Sequence, residues 1–169
     1  LVFFGGTDPT NETRKVLEGI LLTGQDWKIE VVIGATHPNR SDIEVLVSSI
    51  QNARLHIQTR QMARLMSDSD LFIGSGGAST WERCFFGLPG LVVTVAENQI
   101  RATQDLARDG YQIYLGDAAL LTSYNYSKRL KECAENPTLL SRIGERSLSL
   151  VDGRGANRVA DLFIPRIQR

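Results

Sequence analysis

The residues whose types and spacing best suit chemistry run from Leu71 to Glu82, as Leu71-Phe72-Ile73-Gly74-Ser75-Gly76-Gly77-Ala78-Ser79-Thr80-Trp81-Glu82. A short apolar run meets a glycine-rich turn, and the turn opens a helix. Backbone N–H groups at a helix start attract phosphate, and glycine lets the phosphate come close. Glu82, one turn in, is placed to accept the two hydroxyls of a ribose. The pattern is that of a nucleoside-diphosphate site. The same residues also satisfy a capping box, with Ser79 as cap and Glu82 reaching back to it. That box accounts for Ser79 and Glu82 but not for Gly74, Gly76 and Gly77.

A second junction of the same kind, Gly5-Gly6-Thr7-Asp8-Pro9, follows the first apolar run. It reads as a phosphate cradle, or as a tight turn with Asp8 as N-cap and Pro9 at the first helical position. It has neither the Gly-Lys-Ser/Thr of a P-loop nor the spaced three-glycine dinucleotide fingerprint. Glu97-Asn98-Gln99 offers amides to a sugar, a phosphate or a water, or else starts a helix with Asn98 as cap. In Thr59-Arg60-Gln61-Met62, backbone groups suit a base edge and Met62 its face; a plain turn is the other reading. His56 alternates with Leu55 and Ile57 and reads as a surface strand residue, and His37 precedes Pro38 in a loop. Neither has partners for nucleophilic catalysis. Asp68 and Asp70, which bracket Ser69, read as a general acid–base pair or, in preference, as solvated turn residues. No His/Cys/Asp/Glu spacing suits a metal, and no cofactor is expected.

These segments need a scaffold, and hydrophobic patterning supplies one. Strands are predicted near Leu1–Phe4, Ile29–Ile33, Leu55–Ile57, Leu71–Ile73, Leu91–Val95 and Gln112–Tyr114. Helices are predicted near Asn11–Leu22, Ser41–Ser49, Met62–Ser67, Ser79–Phe86 and Gln99–Arg108. Alternation of this kind gives an α/β fold, a Rossmann-like doubly wound parallel sheet of about six strands. Leu91-Val92-Val93-Thr94-Val95 is nearly continuously apolar, as a strand covered on both faces should be. In the expected strand order, the first and fourth strands are neighbours at the switch point where ligands bind, and both glycine junctions lie there. From Ala118 the pattern is helical only: Tyr126–Ala134, Pro137–Leu150 with Pro137 at the first turn, and Ala156–Ile164 after the break at Asp152-Gly153-Arg154-Gly155.

The 169 residues suit one domain with a full core. Nineteen basic and nineteen acidic side chains balance, so no field favours nucleic acid or an anionic membrane. No apolar stretch is long enough to span a bilayer. Cys84 and Cys133 are isolated, which suits a reducing cytoplasm. The chain opens inside a strand-like run without a basic lead or cleavage site, which reads as a domain cut from a longer protein rather than as a signal peptide.

With these segments in order, the chain resembles the C-terminal half of a GT-B protein. The likeness is to the UDP-sugar hydrolase family of pseudaminic acid biosynthesis, which acts on a UDP-linked diacetamido-trideoxy sugar. It rests on Gly5-Gly6-Thr7-Asp8-Pro9, Gln61-Met62-Ala63-Arg64-Leu65-Met66, Gly76-Gly77-Ala78-Ser79-Thr80-Trp81-Glu82-Arg83-Cys84, Gly87-Leu88-Pro89 and Ala96-Glu97-Asn98-Gln99. A more distant likeness is to the N-acetylglucosaminyltransferase that makes lipid II. The resemblance implies that Glu82 binds the ribose, that Gly6 and Gly76-Gly77 hold the diphosphate, and that backbone near Arg60–Met62 receives uracil. The implied contact set adds Thr7, Asp8, Ser75, Ala78, Ser79 and Gln99, with Asn98 close to the reacting sugar. The family's catalytic histidine lies in an N-terminal domain, and no segment here matches its loop. The chain is therefore expected to hold the UDP-sugar half-site, to need that N-terminal domain as partner, and to be inactive alone. A transferase donor domain and a non-catalytic nucleotide-binding module are the alternatives. The last helix is expected to reach toward the partner domain, leaving Leu162, Phe163 and Ile164 partly exposed.

Overall fold

A computed structural model describes residues 1–163. Six strands form one parallel sheet: β1 (Val2–Phe3), β2 (Ile29–Ile33), β3 (Ala53–Ile57), β4 (Phe72–Ser75), β5 (Gly90–Thr94) and β6 (Ile113–Asp117). Their order is β3-β2-β1-β4-β5-β6. Parallel neighbours need crossovers, and the helices supply them: α1 (Glu12–Thr23), α2 (Arg40–Ser48), α3 (Met62–Ser67), α4 (Ser79–Phe85) and α5 (Glu97–Arg108). A short 3-10 turn (Ala118–Leu120) leads to α6 (Ser123–Ala134), α7 (Pro137–Leu148) and α8 (Gly155–Phe163).

Every residue of β2 and β5 is buried, as the apolar runs require for strands covered on both faces. Alternate side chains go to opposite faces. Val31, Ile33, Ile73, Leu91 and Val93 join one core with Val16, Leu17 and Ile20 of α1 and Tyr126 of α6. Val32 and Phe72 join the other with Leu65, Met66 and Leu88.

Two buried polar clusters fix helices to this frame. Glu12 is fully buried and accepts from Lys15 Nζ at 2.7 Å and Tyr126 Oη at 2.9 Å, which ties α1 to α6. Burial next to the Glu12 carboxylate pushes the Tyr126 phenol far above its ordinary value. Arg83 of α4 is buried without a carboxylate partner among the described residues. It donates to the Leu88 and Tyr111 carbonyls at 3.2 and 3.3 Å and to Gln112, which in turn donates to the Thr103 carbonyl at 2.9 Å. Burial lowers the Arg83 value, but backbone carbonyls still stabilise its donors.

Three helix starts differ from the sequence expectation. Helix α1 begins at Glu12 with Asn11 as cap residue, so Pro9 is not its first residue. Asp8 still performs capping chemistry from upstream, because its two carboxylate oxygens accept from Glu12 N at 3.0 Å and Thr13 N at 2.8 Å. Helix α4 is preceded by Ala78 and has no side-chain cap, so the Ser79–Glu82 capping box is not formed. Helix α5 begins at Glu97 after Ala96, so Asn98 lies inside its first turn. Here Gln99 Oε1 reaches back to Val95 N at 3.0 Å. Asn136 caps α7, with Pro137 in the first turn as expected.

Candidate functional site

Strands β1 and β4 are paired, with Phe3 opposite Gly74. The two glycine junctions therefore emerge side by side at the carboxyl edge of the sheet, where strand order reverses. Gly6 and Thr7 are exposed in the first junction; Gly76 and Gly77 are half-buried and Ala78 exposed in the second. Among the described residues, no protein acceptor takes the N–H of Gly6, Thr7, Gly77, Ala78 or Ser79. Five unpaired backbone donors thus lie along one edge, three of them at or just before the start of α4. Such clusters bind anions.

Gly76, expected at the diphosphate, lies between β5 and α5. Its N–H is bonded to the Val93 carbonyl at 3.0 Å. A Cβ there would overlap Thr103 Oγ1, so the glycine lets α5 close against the turn. Ser75 and Ser79 are buried beside it. Thr80 and Thr103 carry buried hydroxyls with no hydrogen-bond partner among the described residues.

Glu82 is exposed and makes no ion pair or side-chain hydrogen bond among the described residues. With the capping box absent, its carboxylate is free one turn beyond the donors. Asn98 is exposed and Gln99 half-buried. A Cβ on Gly77 would lie 3.9 Å from Gln99 Nε2, so the amide segment sits next to the second glycine junction.

Asp8 differs from its expected role as a ligand contact. It is buried, and both oxygens are taken by the start of α1. Its side chain holds the loop to the start of α1. His37, expected as a plain loop residue, is buried beside it. His56 lies half-buried on β3 with Nε2 2.6 Å from Glu30 Oε2.

Beyond β3, Arg60 is exposed, and neither its N–H nor its carbonyl is engaged among the described residues. One backbone donor and one acceptor are thus available in the segment expected to meet a base. Met62 is half-buried and packs against the second core. A cavity of about 310 Å³ lined by Trp27, Glu30, Asp70 and Leu140 contains none of the glycine-junction residues. Among the described residues, no helix is long and apolar enough to cross a membrane.

The model of the glycosyltransferase family 28 C-terminal domain matches residues 1–149. The chain belongs to this family. A curated relative, the spore coat polysaccharide biosynthesis protein SpsG of Bacillus subtilis, is 27% identical over 165 residues, which is 96% of this chain and 49% of SpsG. An uncharacterised protein of Methanocaldococcus jannaschii is 35% identical over 118 residues, 68% of this chain and 23% of that protein. The family 28 chain thus spans half or less of the curated relatives it matches. MurG of Acinetobacter baumannii shares the fold, with a TM-score of 0.72 at 17% identity over 95% of this chain and 48% of MurG. So does a UDP-GlcNAc 2-epimerase from Neisseria meningitidis solved with UDP-GlcNAc, with a TM-score of 0.69 at 18% identity, over 96% of this chain and 44% of that one. The fold is the Rossmann-like C-terminal domain of GT-B proteins.

Proposed function

We propose that this domain binds a UDP-sugar at the carboxyl edge of its sheet and forms the nucleotide half of a two-domain active site. The observation that carries the reading is the pairing of β1 with β4, which sets unpaired N–H groups of both glycine junctions beside a free carboxylate at Glu82. The diphosphate takes the donors of Gly6, Thr7, Gly77, Ala78 and Ser79. The ribose takes Glu82. The free donor and acceptor of Arg60 match the alternating edge of uracil, with Met62 next to it. Asn98 and Gln99 face the sugar. A folded neighbour solved with UDP-GlcNAc supports this class of ligand.

Within that class the preferred reaction is hydrolysis, on the ordered segments shared with the UDP-sugar hydrolases. Water attacks the sugar C1, the C1–O bond breaks, and UDP leaves with the bonding electrons. Donors fixed in place stabilise the charge that grows on the leaving diphosphate. The residue that activates water belongs to an N-terminal domain of the same protein. Transfer to an acceptor is the second reading, favoured by the family 28 match; the donor site is the same in both.

The full-length protein incubated with UDP-sugars and no acceptor is expected to release UDP. Release only after an acceptor is added would replace hydrolysis with transfer and leave the donor site standing. Glu82→Ala is expected to weaken UDP binding by about 1–3 kcal/mol, the cost of leaving polar groups unpaired. Calorimetry checks this. Unchanged affinity in a folded variant would remove Glu82 from the ribose.

A further inference from the structure

The connection between β2 and α2, Gly34–Asn39, contains none of the residues assigned to the nucleotide above, yet it touches both halves of that site. On the phosphate side, Gly34 N donates to the Gly6 carbonyl at 3.0 Å. The approach is so close that a Cβ at Gly34 would overlap that carbonyl. Three residues on, the His37 ring is buried, and its Nδ1 accepts from Asn39 N at 3.2 Å. A ring nitrogen that accepts carries no proton, which leaves Nε2 as the ring's N–H. Nε2 lies 3.6 Å from Asp8 Oδ2, beyond hydrogen-bond distance, and has no hydrogen-bond partner among the described residues. Asp8 is the residue that ties the Gly5–Thr7 loop to the start of α1.

On the base side, Gln58 N donates to the Ile33 carbonyl at 2.9 Å, and Gln58 Oε1 accepts from Ala35 N at 3.3 Å. Gln58 adopts φ of 50°, a left-handed conformation that side-chain-bearing residues rarely take and that clusters at functional sites. Its strain is offset by these two bonds. They fix the chain two residues before Arg60.

We infer that Gly34–Asn39 is a brace that sets the phosphate loop and the base loop in register, with His37 and Gln58 as positioning residues. The inference rests on the nucleotide reading above and extends it, since none of these residues touches the ligand. His37 acts through Asp8 on the diphosphate loop. Gln58 acts through its own backbone on Arg60. Each residue therefore governs one part of recognition rather than affinity as a whole.

The test is binding to the full-length protein, read as two ratios: preference for UDP over UMP, and preference for UDP over ADP. His37→Ala is expected to reduce the UDP/UMP preference about tenfold. Its UDP/ADP preference stays unchanged. His37→Gln, which restores an N–H toward Asp8, recovers most of the loss. Gln58→Gly relieves the left-handed strain and removes the side-chain acceptor. It is expected to reduce the UDP/ADP preference while leaving UDP/UMP unchanged. Melting temperatures recorded beside these values separate positioning from folding. If both ratios hold within twofold in both variants, or fall together in step with the melting temperature, the brace is overturned while nucleotide binding stands. If the unsubstituted protein binds no nucleotide, both readings fall.

Discussion

At the scale of single residues, side chains and backbone divide the work at the glycine junctions. The proposed anion binding rests on main-chain donors that no protein acceptor satisfies among the described residues. Glycine is needed where two backbones or a backbone and a buried side chain must meet, as at Gly76 against Thr103. This gives a pairwise prediction. Gly76→Ala is expected to cost about 1–3 kcal/mol by overpacking and to weaken UDP binding by displacing the turn. Thr103→Ala removes the colliding hydroxyl and methyl, and the double variant is expected to regain most of the loss. Urea unfolding of the four proteins measures the coupling energy. Additive losses would mean that Thr103 is not what excludes a side chain at Gly76.

At the scale of elements, β3 is an edge strand and is held to β2 by more than its ladder. His56 lies opposite Val32 in the register and meets Glu30 of β2 at 2.6 Å. Burial opposes the ionised Glu30 carboxyl, but hydrogen bonds from His56 and Lys28 outweigh it and hold the group below its ordinary value of 4.5. A carboxyl lowered in the fold adds stability that is present above its unfolded value and lost as pH falls through its folded value. Unfolding free energy should therefore decline as pH drops below about 4.5, and decline less steeply in His56→Ala. Denaturant titrations between neutral and acid pH provide the comparison. Equal slopes in the two proteins would show that the pair contributes nothing to acid sensitivity.

At the scale of the whole molecule, the domain is closed on its sheet faces and open at its last helix. No residue of α8 is buried, and Val159, Leu162 and Phe163 are exposed at 55%, 81% and 80%. This matches the expectation of an exposed apolar end at Leu162 and Phe163; Ile164 lies outside the described residues. The start of the segment is held locally, by Asp152 accepting from Arg154 N at 3.0 Å and pairing with Arg158. The Arg158 bond leads in lowering the Asp152 carboxyl to about 2. Contiguous apolar surface of this kind associates in water. Replacing Val159, Leu162 and Phe163 together by serine is expected to abolish concentration-dependent self-association of the 169-residue chain and to leave its melting temperature unchanged. Analytical ultracentrifugation and calorimetry record the two quantities. A fall in melting temperature would mean that α8 packs on the domain.

The sequence by itself determined the architecture. Nearly continuous, β-branched apolar runs such as Leu91–Val95 point to strands covered twice, and their alternation with helices leaves few topologies open. It also located both glycine junctions and Glu82, because local composition is enough to mark a turn that opens a helix. The assignment of the backbone donors came only from tertiary structure. Gly76 N is consumed by Val93 and the Asp8 carboxylate by the start of α1, and neither partner is visible in local spacing. The same holds for His37. As a residue before proline it reads as loop, and its burial follows from a contact between Gly34 and Gly6 that are 28 positions apart. Hydrophobic periodicity is a property of neighbours along the chain. Whether a polar group stays free for a ligand depends on partners brought together by the sheet.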